Sequence, residues 1–194
     1  MKGPAPRFTK VHVWKTIYEI FKAGRIGRQK LAKRVGVGEG TLRTILAFLK
    51  TRNFVIIKQT GIRLTEKAGS FLDKYELQIT RLQTPEITAG KHNCALKVRN
   101  AAHKIRLGIE QRDEAIKAGA AGATTLVYKN NLLSFPGETQ SLKHTHPKIS
   151  ELIISKFKLE NNDVIIIGFG NTMKSAEEGA LASALDLIQV KFQK

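Results

Sequence analysis

Between residues 10 and 82 the hydrophobic period changes from helical to alternating and back, and that order leaves few folds open. Thr9 is a natural N-cap for a first helix in which Trp14, Ile17, Tyr18 and Phe21 fall at i, i+3, i+4 and i+7, and Gly24 stops it. A short helix from Arg28 to about Val35 turns Leu31 and Val35 inward, and Gly36-Val37-Gly38 makes a tight turn. The next helix, about Glu39 to Arg52, buries Leu42, Ile45, Leu46 and Leu49. Phe54 to Lys58 reads as a strand, Gln59-Thr60-Gly61 as a turn, and Ile62-Arg63-Leu64 as the returning strand. Thr65 then caps a helix running to about Leu82, with Ala68, Phe71, Leu72, Tyr75 and Ile79 as its apolar set.

Helix, helix, tight turn, helix, β-hairpin, helix is the order of a winged helix-turn-helix. The stretch from Val37 to Leu46, followed by Leu49 and Asn53-Phe54-Val55, resembles the recognition helix and wing entry of bacterial and archaeal winged-helix regulators. Ile62-Arg63-Leu64-Thr65-Glu66-Lys67-Ala68-Gly69 is similar to their wing exit. The resemblance implies a DNA-binding transcriptional regulator. One departure stands out: many such regulators start this helix on Ser or Thr followed by a basic or neutral residue, and here Gly38 and Glu39 stand there. A carboxylate suits the positive end of a helix but repels phosphate, and it can instead accept from a cytosine amino group.

Opposite the buried set of the third helix lie Gly40, Arg43, Thr44 and Ala47, with Thr41 at the edge. If this helix enters the major groove of double-stranded DNA, Arg43 is the candidate for a guanine edge, and Thr41 and Thr44 reach bases or phosphate. Arg28, Lys30 and Arg34 would border the backbone, and Lys58 and Arg63 on the wing would reach phosphate or minor groove. The plainer reading of each is a solvated charge. The alternative for the whole chain is a basic RNA- or ribosome-associated binding protein without sequence-specific DNA recognition.

Charge favours a polyanion partner. The chain has 33 Lys plus Arg against 16 Asp plus Glu, a net charge of +17. Through Gly90 there are 18 basic and 6 acidic residues, and beyond it 15 and 10, so the excess is concentrated at the N-terminal end.

Periodicity fades between Thr80 and Asn93, where Pro85 and Gly90 fall, so the expected domains are residues 1–88 and 89–194. In the second, Cys94 to Val98 reads as a strand and His103 to Ala118 as a helix broken at Gly108. Thr124 to Lys129 and Leu132 to Phe135 form a hairpin around Asn130-Asn131. A loop over 136–145, a helix from about Pro147 to Phe157, a strand from Val164 to Ile167 and a helix from Ser175 to about Gln189 complete it. The expected class is α+β: a winged helix followed by an α/β domain of ferredoxin-like order, βαββαβ, with an extra C-terminal helix. Taken whole, the chain resembles an archaeal family of transcriptional regulators that joins a winged helix to a C-terminal domain of unknown function (DUF family 4443). The impression rests on Ala101 to Arg106, Gly108 to Ala115, Gly122 to Tyr128 and Ala176 to Leu181. That resemblance implies no particular ligand or reaction.

Candidate chemistry in this half is sparse. Gly168-Phe169-Gly170-Asn171-Thr172-Met173-Lys174-Ser175 nearly matches a phosphate-binding loop, but Met173 holds the second glycine's place and blocks close approach of phosphate. Gly168 and Gly170, with Lys174 and Ser175, remain candidates for holding an anionic small-molecule effector at a helix start. His103, Arg106 and Arg112 are candidates for a polar effector pocket, against the plainer reading of a solvated helix face. His144 and His146, and His92 with Cys94, do not match a zinc spacing, so no metal and no cofactor are expected. No nucleophile-base set can be assembled, so an enzyme is not expected either. One cysteine allows no internal disulfide, and the longest apolar run is about six residues against the roughly 20 of a membrane helix. No secretory signal is visible at Met1, and the expected place is the cytoplasm. A homodimer is expected, because one recognition helix rarely supplies enough specificity; the helix ending near Leu82, or the second domain, would form its interface.

Overall fold

The computed structural model describes residues 8–192. The chain divides into two compact units, Met1–Lys74 with Lys191–Lys194, and Tyr75–Val190.

The first unit holds α1 (Lys10–Ala23), α2 (Arg28–Val35), α3 (Glu39–Thr51), β1 (Val55–Lys58), β2 (Gly61–Leu64) and α4 (Glu66–Tyr75). This is the winged-helix order that the sequence predicts. The hairpin pairs Val55 with Leu64 and Lys58 with Gly61, and Ile26 adds one antiparallel bridge to Ile62. Gly61 has φ +126, and a Cβ there would lie 3.0 Å from the Arg25 side chain and 3.2 Å from the Ile26 carbonyl, so the wing closes on this glycine. Trp14, Ile17, Ile20, Leu31, Val35, Leu42, Ile45, Leu49 and Ile62 are all buried. Each such side chain contributes about 1.5–3 kcal/mol relative to exposure.

The face of α1 differs from the expected one. Val13 and Ile20 are buried with Trp14 and Ile17, Tyr18 is half-buried, and Phe21 is 54% exposed. α2, α3 and β2 pack against α1, and Phe21, about 40° round the helix from Ile17, lies in the last turn, where it is left exposed. The end of α3 is tied down by the chain's own C-terminal residues. Phe192 lies 5.4 Å from the Phe71 ring and 6.4 Å from Phe48, and its carbonyl accepts from Arg52 Nε at 2.9 Å.

The second unit contains β3 (Gln78–Leu82), β4 (His92–Val98), a 3-10 turn (Ala102–Lys104), α5 (Ile109–Lys117), β5 (Gly122–Lys129) and β6 (Leu132–Ser134). It continues through α6 (Leu142–Thr145), α7 (Pro147–Lys156), β7 (Asp163–Gly170) and α8 (Met173–Leu187). The five strands run in the order β3-β4-β7-β5-β6, with every neighbouring pair antiparallel. β7 is central, pairing Ile167 with Ala95 of β4 and Ile165 with Leu126 of β5.

Helices cover both faces of this sheet. Ala95, Leu126, Ile165 and Ile167 pack with Leu142, Ile149, Ile153 and Phe157 of the α6–α7 segment and its end. The opposite face meets α8, where a Cβ on Gly168 would lie 2.3 Å from the Ala176 carbonyl and 2.5 Å from the Ala180 nitrogen. α5 lies beside α8, with Ala115 and Ala120 against Gly179. Coverage on both sides explains why β7 reads as a continuous apolar run instead of an alternating one.

Three expectations change here. α4 ends at Tyr75 and not near Leu82: Glu76 takes a left-handed φ of 38, and Gln78–Leu82 becomes an edge strand paired with β4. The second unit therefore begins at Tyr75, ahead of residue 88, because that strand belongs to its sheet. The βαββαβ succession is present, but a ferredoxin-like sheet seats its first strand between its third and its last, whereas here the last strand, β7, lies between β4 and β5, β4 does not meet β6, and β3 adds a fifth. Within the expected 136–145 loop Ser141 caps the short α6, accepting from Lys143 N at 3.2 Å. The hairpin at Asn130-Asn131 has φ of 50 and 63, the positive values a tight two-residue turn demands.

Buried Asp163 organises the start of β7. Its carboxylate accepts from the backbone N–H of Asn100 at 3.1 Å and of Glu160 at 2.9 Å, and Lys97 Nζ stands 3.8 Å away. No helix among the described residues is long and apolar enough to cross a membrane.

Candidate nucleic-acid interface

Packing of the first unit determines which side of α3 faces outward. Leu42, Ile45, Leu46 and Leu49 are each 2% exposed or less, so the residues a half-turn away have no choice of side. Gly40, Arg43, Thr44 and Ala47 are exposed, and Thr41 is half-buried at the margin. Arg43 has no hydrogen-bond or ion-pair partner among the described residues, leaving its guanidinium fork open for a bidentate acceptor. Thr44 Oγ1 donates to the Gly40 carbonyl at 3.2 Å, so its hydroxyl presents lone pairs outward. A Cβ at Gly40 would meet nothing within 4 Å, so the space beside it is open.

The start of α3 carries no side-chain cap, since Gly38 is the N-cap residue. Glu39 sits in the first turn and is exposed, and it makes no ion pair with Arg43, one turn on, among the described residues. Its carboxylate faces the positive end of the helix dipole and remains free to accept a further donor. An open groove of about 790 Å³ runs beside this turn, lined by Gln29, Lys30, Lys33, Gly36, Gly38 and Glu39.

Arg28 and Lys30 on α2 are exposed and without an ion-pair partner among the described residues. Arg34 is different, for its Nη1 lies 3.4 Å from Glu19, which also holds Lys22 at 2.8 Å. Arg52, at the end of α3, is taken up by Phe192 and by the Phe48 ring 3.6 Å below its guanidinium. On the wing the register puts Ile56 opposite Arg63, and Lys58 opposite Gly61, with Ile56, Lys58 and Arg63 all exposed. One apolar side chain thus stands beside two free cations on the outer face of the hairpin. Sequence reasoning named the two cations and passed over Ile56, whose strand pattern already showed it alternating outward.

The candidates of the second unit do not converge. Gly168 and Gly170 are buried where β7 meets α8, and a Cβ on Gly170 would lie 2.5 Å from Ser175 Oγ, so both glycines serve helix-sheet contact. The start of α8 satisfies itself: Thr172 Oγ1 accepts from Ser175 N at 3.1 Å, and Ser175 Oγ donates to the Thr172 carbonyl at 2.9 Å. Lys174 Nζ lies 4.0 Å from Glu178. His103 and Arg106 are exposed in and after the 3-10 turn, and Arg112 on α5 pairs with Asp113 at 3.1 Å. α5 and α8 run antiparallel, with Ala115 against Gly179 and the Gln111 carbonyl accepting from Ser183 Oγ at 2.5 Å. Arg112 therefore stands beside the C-terminal half of α8, about two helical turns from the Gly168–Ser175 loop. Among the described residues no group of three His, Cys, Asp or Glu is placed to hold a metal ion.

Residues 89–187 match the sequence family described as a domain of unknown function, DUF4443. Residues 12–79 match the family described as the CggR N-terminal DNA binding domain. No curated protein matches the chain. A solved structure of a hypothetical protein from Pyrococcus horikoshii OT3 is similar over 96% of both chains, at 26% identity and a TM-score of 0.72. HmgR from Pseudomonas aeruginosa aligns over 90% of this chain and 94% of its own at 8% identity, with a TM-score of only 0.30. An IclR homolog from Microbacterium sp. strain HM58-2 aligns over 92% and 99% at 8% identity and 0.27, and neither of these two carries an argument about this fold.

Proposed function

The chain belongs to the family of the domain of unknown function DUF4443, and from that premise we propose that it is a DNA-binding transcriptional regulator. The observation that carries this reading is the outward face of α3, where Arg43, Thr44 and Gly40 are exposed and Arg43 has no partner among the described residues, flanked by Arg28 and Lys30 and by the wing cations Lys58 and Arg63. The match of residues 12–79 to a DNA-binding domain supports it. Arg43 reads a guanine edge in the major groove, and Thr41 and Thr44 contact the neighbouring bases or phosphate. Arg28, Lys30 and the wing hold the backbone, with Ile56 packed on sugars of the minor groove. Arg34, held by Glu19, contributes long-range field and less direct contact.

Glu39 belongs to the same face. A carboxylate facing phosphate would weaken binding, so its place is at a base edge, accepting from a cytosine N4 amino group one helical turn from the guanine held by Arg43. The second unit joins two copies, which gives the symmetric half-sites such a helix needs. This role involves binding and no catalysis.

Selection of bound duplexes from a random pool, followed by gel-shift titration at several salt concentrations, tests the reading. The expected result is a recurrent motif containing G·C pairs and a steep fall of affinity with salt. Enrichment of no duplex motif, with equal affinity for structured RNA, would replace it with the RNA-binding alternative.

A further inference from the structure

α5 carries a pattern that nothing among the described residues covers. Ile109 and Ile116 are 47% and 49% exposed, two turns apart on one face, and Leu107 just before them is 64% exposed. Between them lie Arg112 and Asp113, whose side chains are 54% and 49% exposed and which pair with each other, at 3.1 Å. The opposite side of the helix, Gln111 and Ala115, is the buried one, held by Ser183 and Gly179 of α8. The outer face thus reads apolar, basic, acidic, apolar at 109, 112, 113 and 116.

We infer that this face is where a second copy of the chain docks, α5 against α5, antiparallel about a two-fold axis passing between positions 112 and 113. Such an axis places residue i opposite residue 225 − i. Ile109 of one copy then meets Ile116 of the other, and Arg112 meets Asp113, each contact occurring twice because the interface is isologous. A helix face that is chemically palindromic about its midpoint is complementary to itself and to little else. Charge argues for the same occupant. From Lys104 to Lys117 there are four basic residues and three acidic ones, a near balance in a chain that carries +17, so this face does not share the polyanion-binding character of the first unit. Apolar contacts at both ends of the seam flank the central Arg–Asp pairs and exclude water from them, which makes those pairs count for more than exposed ones.

The inference deepens the dimer part of the proposed function and is independent of which nucleic acid α3 binds. Sedimentation equilibrium of the full chain at micromolar concentration tests it, on the wild type, R112D, D113R, I116E and the double variant R112D/D113R. Circular dichroism and thermal unfolding accompany each, and all three sites are exposed enough for the fold to persist. The expected results are a dimer for the wild type, dissociation constants raised about tenfold or more in each single charge variant and in I116E, and recovery to within a few-fold in the double variant. Recovery is the decisive readout, because reversing both charges restores opposite signs across the axis. A wild-type dimer indifferent to these substitutions overturns this interface and leaves the dimer standing, and a wild-type monomer overturns both. Affinity for a single half-site duplex, measured in parallel, reports on DNA binding separately from either outcome.

Discussion

The two units treat charge in opposite ways. The first, with the C-terminal residues that join it, has 19 basic and 4 acidic side chains, and Arg28, Lys30, Arg43, Lys58 and Arg63 at its surface have no ion-pair partner among the described residues. The second has 14 and 12, near balance, and several of its charges are spent on one another. Arg99 holds both Glu76 and Glu160, which raise its pKa through side-chain hydrogen bonds, Lys117 holds Glu114, Lys97 approaches Asp163, and Arg112 holds Asp113. Free cations on a rigid frame are available to a polyanion at no cost of breaking a pair. Paired ones hold loops and strand ends in place.

The same opposition appears at two helix starts. α3 begins on Gly38, uncapped and open, whereas α8 begins on Thr172 with its first turn already satisfied by Ser175. Glycine ahead of a helix is common to both, and only the side chains around it separate an open donor set from a closed one.

The largest effect is expected in the closed region. Gly168→Val drives a side chain into the backbone of α8 and should destabilise the second unit by about 3 kcal/mol or more, seen as a lower urea midpoint. A midpoint unchanged by that substitution would remove the packing account of this glycine. Next comes the open face. Arg43→Ala should weaken specific DNA binding by about 1–3 kcal/mol and relax selection at the guanine position, while leaving thermal unfolding as it was. Equal affinity and equal sequence preference would show that α3 does not face the duplex.

Thr172→Ala should cost about 1 kcal/mol of stability through the lost cap, with DNA affinity unaltered. A changed DNA affinity in a variant of full stability would undo the contrast between the two helix starts. The smallest change belongs to the wing: Lys58→Ala and Arg63→Ala should each lower affinity for all duplexes alike and reduce the slope of log K against log salt by about 1. Slopes that stay parallel to the wild type would take the wing out of the interface.

Much of the first unit was legible in the chain because its helices are amphipathic and local. Leu42, Ile45, Leu46 and Leu49 repeat with helical period, so burial of one side implied exposure of Arg43 and Thr44 on the other. The face of α1 was misjudged at Phe21 because aromatic residues at helical spacing look alike whether they touch a neighbour or not. Residues 77–82 were misread as helix for a related reason: Leu77, Ile79 and Leu82 fit either period, and only the presence of β4 as a partner makes them a strand.

Composition and local pattern thus decided the order of elements in the winged helix, the outward position of Arg43 and the basic bias of that end of the chain. Tertiary structure alone decided that Arg34 is held by Glu19 while Arg28 is free, that β7 lies between β4 and β5, and that Gly168 is covered by α8. Helix periodicity and capping act over a few residues and are written in neighbouring letters. Strand order, ion-pair choice and close backbone approach join residues tens of positions apart, and no local pattern records which of several chemically suitable partners will be the one in reach.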